Sequence, residues 1–241
     1  MVSARVPLVT AHPLAAFLGI ACAFSWSTWF LGSLIQSTRT LAVATIVVGG
    51  FGPALAAVAV RWAAGRTVRT WLATRLRWRV APRWYAAALL VPVLIYGIGA
   101  AALVAAGATV RVDRFGWGVL AFLGGLPVAT LVTGGNEEIG WRGFLLPRLQ
   151  RRHGAFRASI LVGLAWAGWH LPVYVLPFGL VEGPYVLFVP FIVLVSVVLT
   201  WLYNSTEGSV FLAMITHGAV NSATGLFVGL LAVESVDAFI L

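Results

Sequence analysis

Apolar residues fall in seven long runs, at about 13–35, 41–60, 84–107, 117–147, 158–178, 184–203 and 209–232, with short polar stretches between them. A run of about 20 residues, at ~1.5 Å per residue, covers the ~30 Å hydrocarbon core of a bilayer. The pattern predicts an all-α fold, a polytopic transmembrane helical bundle of about seven spans, with an eighth allowed. The fourth run is too long for one plain crossing, so its end is expected to emerge from the membrane. No internal repeat and no long polar segment interrupts the pattern. Residues 1–241 therefore read as a single transmembrane domain. The first run is already of spanning length and no small-residue cleavage pattern follows a short apolar core, so no cleavable signal peptide is expected.

Composition and charge sharpen this picture. Hydrophobic residues make up 61% of the chain and charged residues 10%. A soluble domain carries about 25% charged residues, so a typical soluble enzyme and a disordered chain are excluded. All sixteen basic residues are Arg, against seven acidic ones, for a net charge of +9. Arg61, Arg66, Arg69, Arg75, Arg77, Arg79 and Arg83 share one stretch; Arg148, Arg151, Arg152 and Arg157 share another. Both stretches are expected on the cytoplasmic side. Seven spans then place Arg5 and the N-terminus there as well, in a multi-pass protein of the cell membrane. Arg39, Arg111, Arg114 and the C-terminus, with Glu234 and Asp237, fall on the other side. Because the arginines are spread over loops between apolar runs, the expected partner is anionic membrane lipid, not nucleic acid. The stretch 61–83 also holds Trp62, Trp71, Leu72, Leu76 and Trp78. It reads either as an interfacial amphipathic helix or as a solvated basic loop. Cys22, alone in an apolar run, can form no internal disulfide.

Ionisable groups inside a span are costly and usually functional. The fourth run ends in Asn136-Glu137-Glu138-Ile139-Gly140-Trp141-Arg142-Gly143-Phe144. If it is helical, Glu138 and Arg142 stand at i and i+4 and can pair. Glu137 is then turned about 100° away and can face a cavity as a candidate general base. The fifth run carries His170, one turn after Trp166; the seventh carries His217 and Asn221, again at i and i+4. Counted along helices from the nearest Arg-rich end, Glu137, His170 and His217 lie about 16, 18 and 12 Å deep. Taken singly, each has a plain structural explanation. Three at similar depth on separate helices point to a polar, water-holding cavity.

The sequence Glu137-Glu138-x-x-x-Arg142, then an aromatic residue and His170 four residues further on, then His217-x-x-x-Asn221, resembles the CPBP family of intramembrane proteases. That family includes the CAAX prenyl proteases and the bacteriocin-processing or Abi proteins. The run from Glu137 to Leu149 is very close to the family's first motif, and the similar region, the motif-bearing core, spans about 115–225. Trp166 departs from the Phe usual at that place. The resemblance implies that Glu137 and His170 activate a water and that His217 and Asn221 stabilise an oxyanion. It leaves Glu138 and Arg142 as a supporting pair.

The same three groups, Glu137, His170 and His217, would also make a three-ligand zinc site with an open position. No His-Glu-x-x-His motif is present, so the cofactor expectation is either none or zinc, with metal-independent water activation preferred. The expected function is an intramembrane endopeptidase acting on a membrane-associated peptide or protein near the cytoplasmic face. The competing readings are a non-catalytic immunity or scaffold protein and a proton-coupled transporter, which the missing inverted repeat disfavours. The absence of Lys and the abundance of Ala, Gly, Arg and Val suit a GC-rich bacterial genome, which speaks against a prenylated CAAX peptide as substrate.

Overall fold

The computed structural model of the protein describes residues 8–35, 38–178 and 183–232. Arg5, Glu234 and Asp237, used above to orient the chain, lie outside the described residues. The helices are α1 (Leu8–Ala11), α2 (Pro13–Ile35), α3 (Arg39–Gly49), α4 (Gly52–Ala63), α5 (Val68–Arg75), α6 (Pro82–Ala105), α7 (Phe115–Leu131), α8 (Glu138–Gly140), α9 (Leu146–Val175), α10 (Tyr185–Ser205) and α11 (Val210–Leu230). The bundle is all-α; two-residue strands β1 (Thr109–Val110) and β2 (Leu231–Ala232) form one short antiparallel pair.

Among the described residues, six helical stretches are long and apolar enough to cross a membrane. Seven were expected, and the difference lies in the stretch Val112–Val175, which at 64 residues holds two of the expected runs. At ~1.5 Å per residue it is far longer than one ~30 Å crossing. Two glycines break it. Gly134 has φ 134° and Gly154 has φ 71°, backbone values that L-residues rarely adopt. The chain between them comprises a 3-10 turn (Gly135–Glu137), α8, a π-helical stretch (Trp141–Leu145) and the first turns of α9. The chain is a multi-pass membrane protein. Leu34, Ile98, Leu120 and Leu194, all exposed, belong to its lipid-facing surface.

Glycines let the segment that carries Glu137 pack closely along α11. A Cβ on Gly118 would meet Leu226, one on Gly125 would meet Ser222, and one on Gly218 would meet Thr130. Gly135 in turn lies against the Met214 carbonyl. Residues 118–135 therefore run antiparallel to 226–214, and the β1–β2 pair continues the register. Small residues allow such approach where lipid gives no hydrophobic drive for helix association. On the other side, Gly49 and Gly52 let α2 close on the α3–α4 bend, where Ser25 Oγ donates to Gly49 O at 2.7 Å.

The two Arg-rich stretches share one end of the bundle. Arg75 donates to the Tyr203 hydroxyl at 2.8 Å, and Arg77 pairs with the exposed Glu207 at 2.5 Å. The stretch 61–83 combines both sequence readings: between the end of α4 and the start of α6 only Val68–Arg75 is helical, with Trp71 buried while Trp62 and Trp78 stay exposed.

Candidate active site

The unusual backbone after Gly134 turns two adjacent carboxylates to different partners. Gly134 N–H donates to Asn136 Oδ1, and Asn136 Nδ2 donates to Gly50 O, which ties the turn to the α3–α4 bend. Gly140 lies against the Pro53 backbone, too close for any side chain. From this anchored turn Glu137 points one way and Glu138 another.

Glu138 is wholly buried, and so is Arg142. Arg142 Nη1 donates to both Glu138 oxygens, at 3.1 and 2.9 Å, in the expected i, i+4 pair. Arg142 Nη2 donates to Ser196 Oγ at 2.9 Å, and the guanidinium lies 5.1 Å from the Trp166 ring centre. The Glu138 carboxylate has a further partner that spacing alone did not indicate: His217 Nδ1 stands 2.8 Å from Oε1. A carboxylate paired with a guanidinium can only accept, so Nδ1 carries the proton and Nε2 is turned elsewhere. Nε2 lies beside Gly134, where an added Cβ would be 2.8 Å from it and would also strike Asn221 Nδ2.

Glu137 is 5% exposed and lines a cavity of about 540 Å³. Its Oε2 accepts from Trp166 Nε1 at 2.7 Å and from Trp141 Nε1 at 3.3 Å. Oε1 receives no hydrogen bond from the described residues, so it is the oxygen available to a water or ligand. His170, His217 and Asn221 line the same cavity. His170 Nδ1 sits 3.0 Å from Trp166 O. A carbonyl only accepts, so Nδ1 holds the proton and the neutral ring keeps its lone pair on Nε2. Asn221 Nδ2 donates to Thr133 O at 2.8 Å and retains a second hydrogen.

Sequence reasoning thus named Glu137, His170, His217 and Asn221, and the fold brings all four to one cavity; Glu138 and Arg142 sit directly behind it. It placed Trp166 one turn before His170, and the two rings lie 5.9 Å apart between centres. It missed the two indole donors on Glu137. Trp141, one helical turn after Glu137, was the available signal. As for a metal, among the described residues no three His, Cys, Asp or Glu side chains are grouped to hold one. Instead, the Trp166 indole packs against both imidazoles, with its ring 4.9 Å from that of His217.

Residues 119–223 match the family described as type II CAAX prenyl endopeptidase Rce1-like. The match covers less than half of the chain, so it is the motif-bearing region that is similar to that family. A CAAX prenyl protease 2 from Methanococcus maripaludis is 32% identical over 97 residues, which cover 35% of this chain and 34% of that protein. The chain thus spans about one third of the length of the curated relative it matches. The matched region holds the four candidate site residues of the cavity, Glu137, His170, His217 and Asn221. Two helices before it, α2 and α3, supply Trp29, Val43 and Ile46 to the apolar wall.

Proposed function

We propose that this chain is an intramembrane endopeptidase that hydrolyses a peptide bond of a membrane-associated substrate by a water activated between Glu137 and His170. One observation carries the reading: side chains from the Gly134–Leu145 segment, α9 and α11 meet at one cavity, and the acid among them has one oxygen anchored and one open. Glu137 Oε1 would take a proton from the water as it attacks the carbonyl carbon. His170 Nε2, the ring's lone-pair nitrogen, is the second acceptor in reach of that water. As the carbonyl oxygen gains charge, Asn221 Nδ2–H and, in the imidazolium form, His217 Nε2–H would donate to it. Collapse of the tetrahedral adduct expels the amine, which takes back the proton held by Glu137. Fixed donors in a low-dielectric site need no reorganisation during reaction, which is why such placement lowers a barrier.

The reaction needs no metal in this reading. Glu137 Oε2 is committed to two indoles, and among the described residues no three His, Cys, Asp or Glu side chains are grouped to hold an ion. The apolar wall of the cavity, which includes Val173, Phe188 and Val195, suits a hydrophobic peptide. The Arg-rich end is the cytoplasmic one by the positive-inside rule. His217, seven residues into α11, then sits about 10 Å from that side. That depth supports chemistry in the cytoplasmic half of the membrane, and the two crossings before the stretch 61–83 support a cytoplasmic N-terminus.

The test is Glu137→Ala against Glu137→Asp in a cleavage assay with reconstituted protein and a membrane-associated substrate. Loss of about 10²–10⁴-fold in turnover, without loss of folded protein, is expected for removal of a general base. Full cleavage by a well-folded Glu137→Ala protein would refute the assignment and favour a binding protein that merely retains the motifs.

A further inference from the structure

At the Arg-rich end, well apart from the catalytic cavity, lies a second pocket of about 640 Å³. Arg61, Arg66, Thr67, Thr70, Trp71 and Thr74 line it, and its mouth is wide. Gly65, at φ 65°, turns the chain so that the start of α5 comes back beside the end of α4. Arg61 lies over Trp71, with its guanidinium carbon 4.8 Å from the ring centre. Its Nη2 reaches only the Thr67 carbonyl, at 3.4 Å, and its Nε is buried with no partner. Arg66, exposed, stands at the rim.

Charge makes the pocket unusual. Arg61 is repelled by Arg66 and Arg75, and Arg148 by Arg151, Arg61, Arg75 and Arg66. No carboxylate answers this group among the described residues; Glu207 at the same end is taken by Arg77. Converging guanidiniums raise each other's energy unless an anion sits between them. The donor set, planar N–H forks plus threonine hydroxyls, matches the several oxygens of a phosphate better than a single carboxylate. Exposed Trp62 and Trp78 flank the stretch, as aromatic residues do at headgroup level.

We propose that this pocket is a phosphate-binding site. The phosphate is carried on an anionic lipid headgroup or is free in the aqueous phase. Contact with Trp71 holds the Arg61 guanidinium in place, so the terminal N–H groups that Thr67 does not use can meet phosphate oxygens without ordering a loose side chain. This goes beyond the protease reading and does not depend on it.

Purified full-length protein in detergent is titrated with phosphatidylglycerol and with phosphatidylcholine, and bound lipid is counted by native mass spectrometry. Thermal shift with inorganic phosphate, against chloride at equal ionic strength, forms the second arm. Retention of phosphatidylglycerol over phosphatidylcholine indicates a headgroup source; stabilisation by inorganic phosphate alone indicates a soluble one. Either preference should weaken about tenfold in Arg61→Gln/Arg66→Gln, the scale of one strong charge-assisted contact. Arg66→Gln alone, at an exposed site, gives a smaller loss and guards against misfolding of the double variant. The control Arg79→Gln/Arg83→Gln removes the same charge outside the pocket and should leave both preferences intact. Equal weakening by the control, or binding of neither probe by the unaltered protein, would overturn the proposal.

Discussion

Replacing Glu138 by Gln should reveal how much the buried Glu138–Arg142 pair matters. Both side chains are fully buried, and two of the three close contacts to Glu138 come from Arg142. Gln keeps the shape but faces Arg142 Nη1 with an N–H where an oxygen stood, so two donors oppose each other. A buried cation is left without its counter-charge, a loss of about 3–5 kcal/mol. That is a large share of the ~5–15 kcal/mol that holds a typical domain folded. Arg142→Met should cost a similar amount, because it strands the carboxylate with His217 alone. Combining the two substitutions removes both charges, and the ion pair's own desolvation cost disappears with them. The double variant should therefore lose much less than the sum of the single losses, with a coupling of about 2–3 kcal/mol. Unfolding in mixed micelles with increasing sodium dodecyl sulfate, followed by tryptophan fluorescence, measures all four proteins. A coupling below about 0.5 kcal/mol would refute the reasoning, since independent sites add to within that margin. Cleavage should not recover with stability, because His217 Nδ1 has lost the carboxylate that orients it.

Other expectations follow from single contacts. Trp166→Phe removes one of two donors on Glu137 Oε2 but keeps a ring beside His217; turnover should fall about tenfold for a loss near 1.5 kcal/mol, with KM little changed. An unaltered turnover would show that Trp141 alone suffices to hold the carboxylate. Gly134→Ala places a Cβ against His217 Nε2 and Asn221 Nδ2 at a φ of 134°, so cleavage should be abolished and thermal stability lowered. Gly154→Ala also imposes a positive φ, but nothing lies within 4 Å of its Cβ. It should cost about 1–2 kcal/mol by thermal unfolding and leave the specific activity of folded protein unchanged. Elemental analysis of the purified protein should find zinc well below one per chain, and a strong chelator should leave cleavage intact. Stoichiometric zinc whose removal stops cleavage would sink the metal-independent mechanism.

Much of this architecture was legible because a bilayer imposes strict rules. Backbone groups in lipid must be satisfied within the segment, so long apolar runs are helices, and their ends are marked by Arg and Trp. The pairing of Glu138 with Arg142 was legible too, since i, i+4 spacing sets the two on one face. The count of crossings was harder to read. Gly134 and Gly154 break the long stretch Val112–Val175 through their backbone angles, and a glycine in sequence does not announce which of its allowed conformations it takes. The π-helical stretch Trp141–Leu145 is likewise a local accommodation, seen only once neighbours are in place.

The contacts that sequence could not show are those between segments distant along the chain. Glu138 and His217 are 79 residues apart, and Trp166 and Glu137 are 29 apart. Each side chain alone has an ordinary explanation: an ion-pair partner, a histidine bonded to a neighbouring helix, an aromatic packing residue. Together they make one chain of contacts, Arg142 to Glu138 to His217 on one side and Trp141 and Trp166 to Glu137 on the other, with the cavity between. Trp166 touches both sides, since its N–H binds Glu137 while its ring faces His217 and Arg142. A Phe in that place would pack against the same groups but could not hold the carboxylate. The indole therefore explains, in physical terms, why departing from the family's usual residue need not disturb the site: it adds a donor where a buried acid has few others.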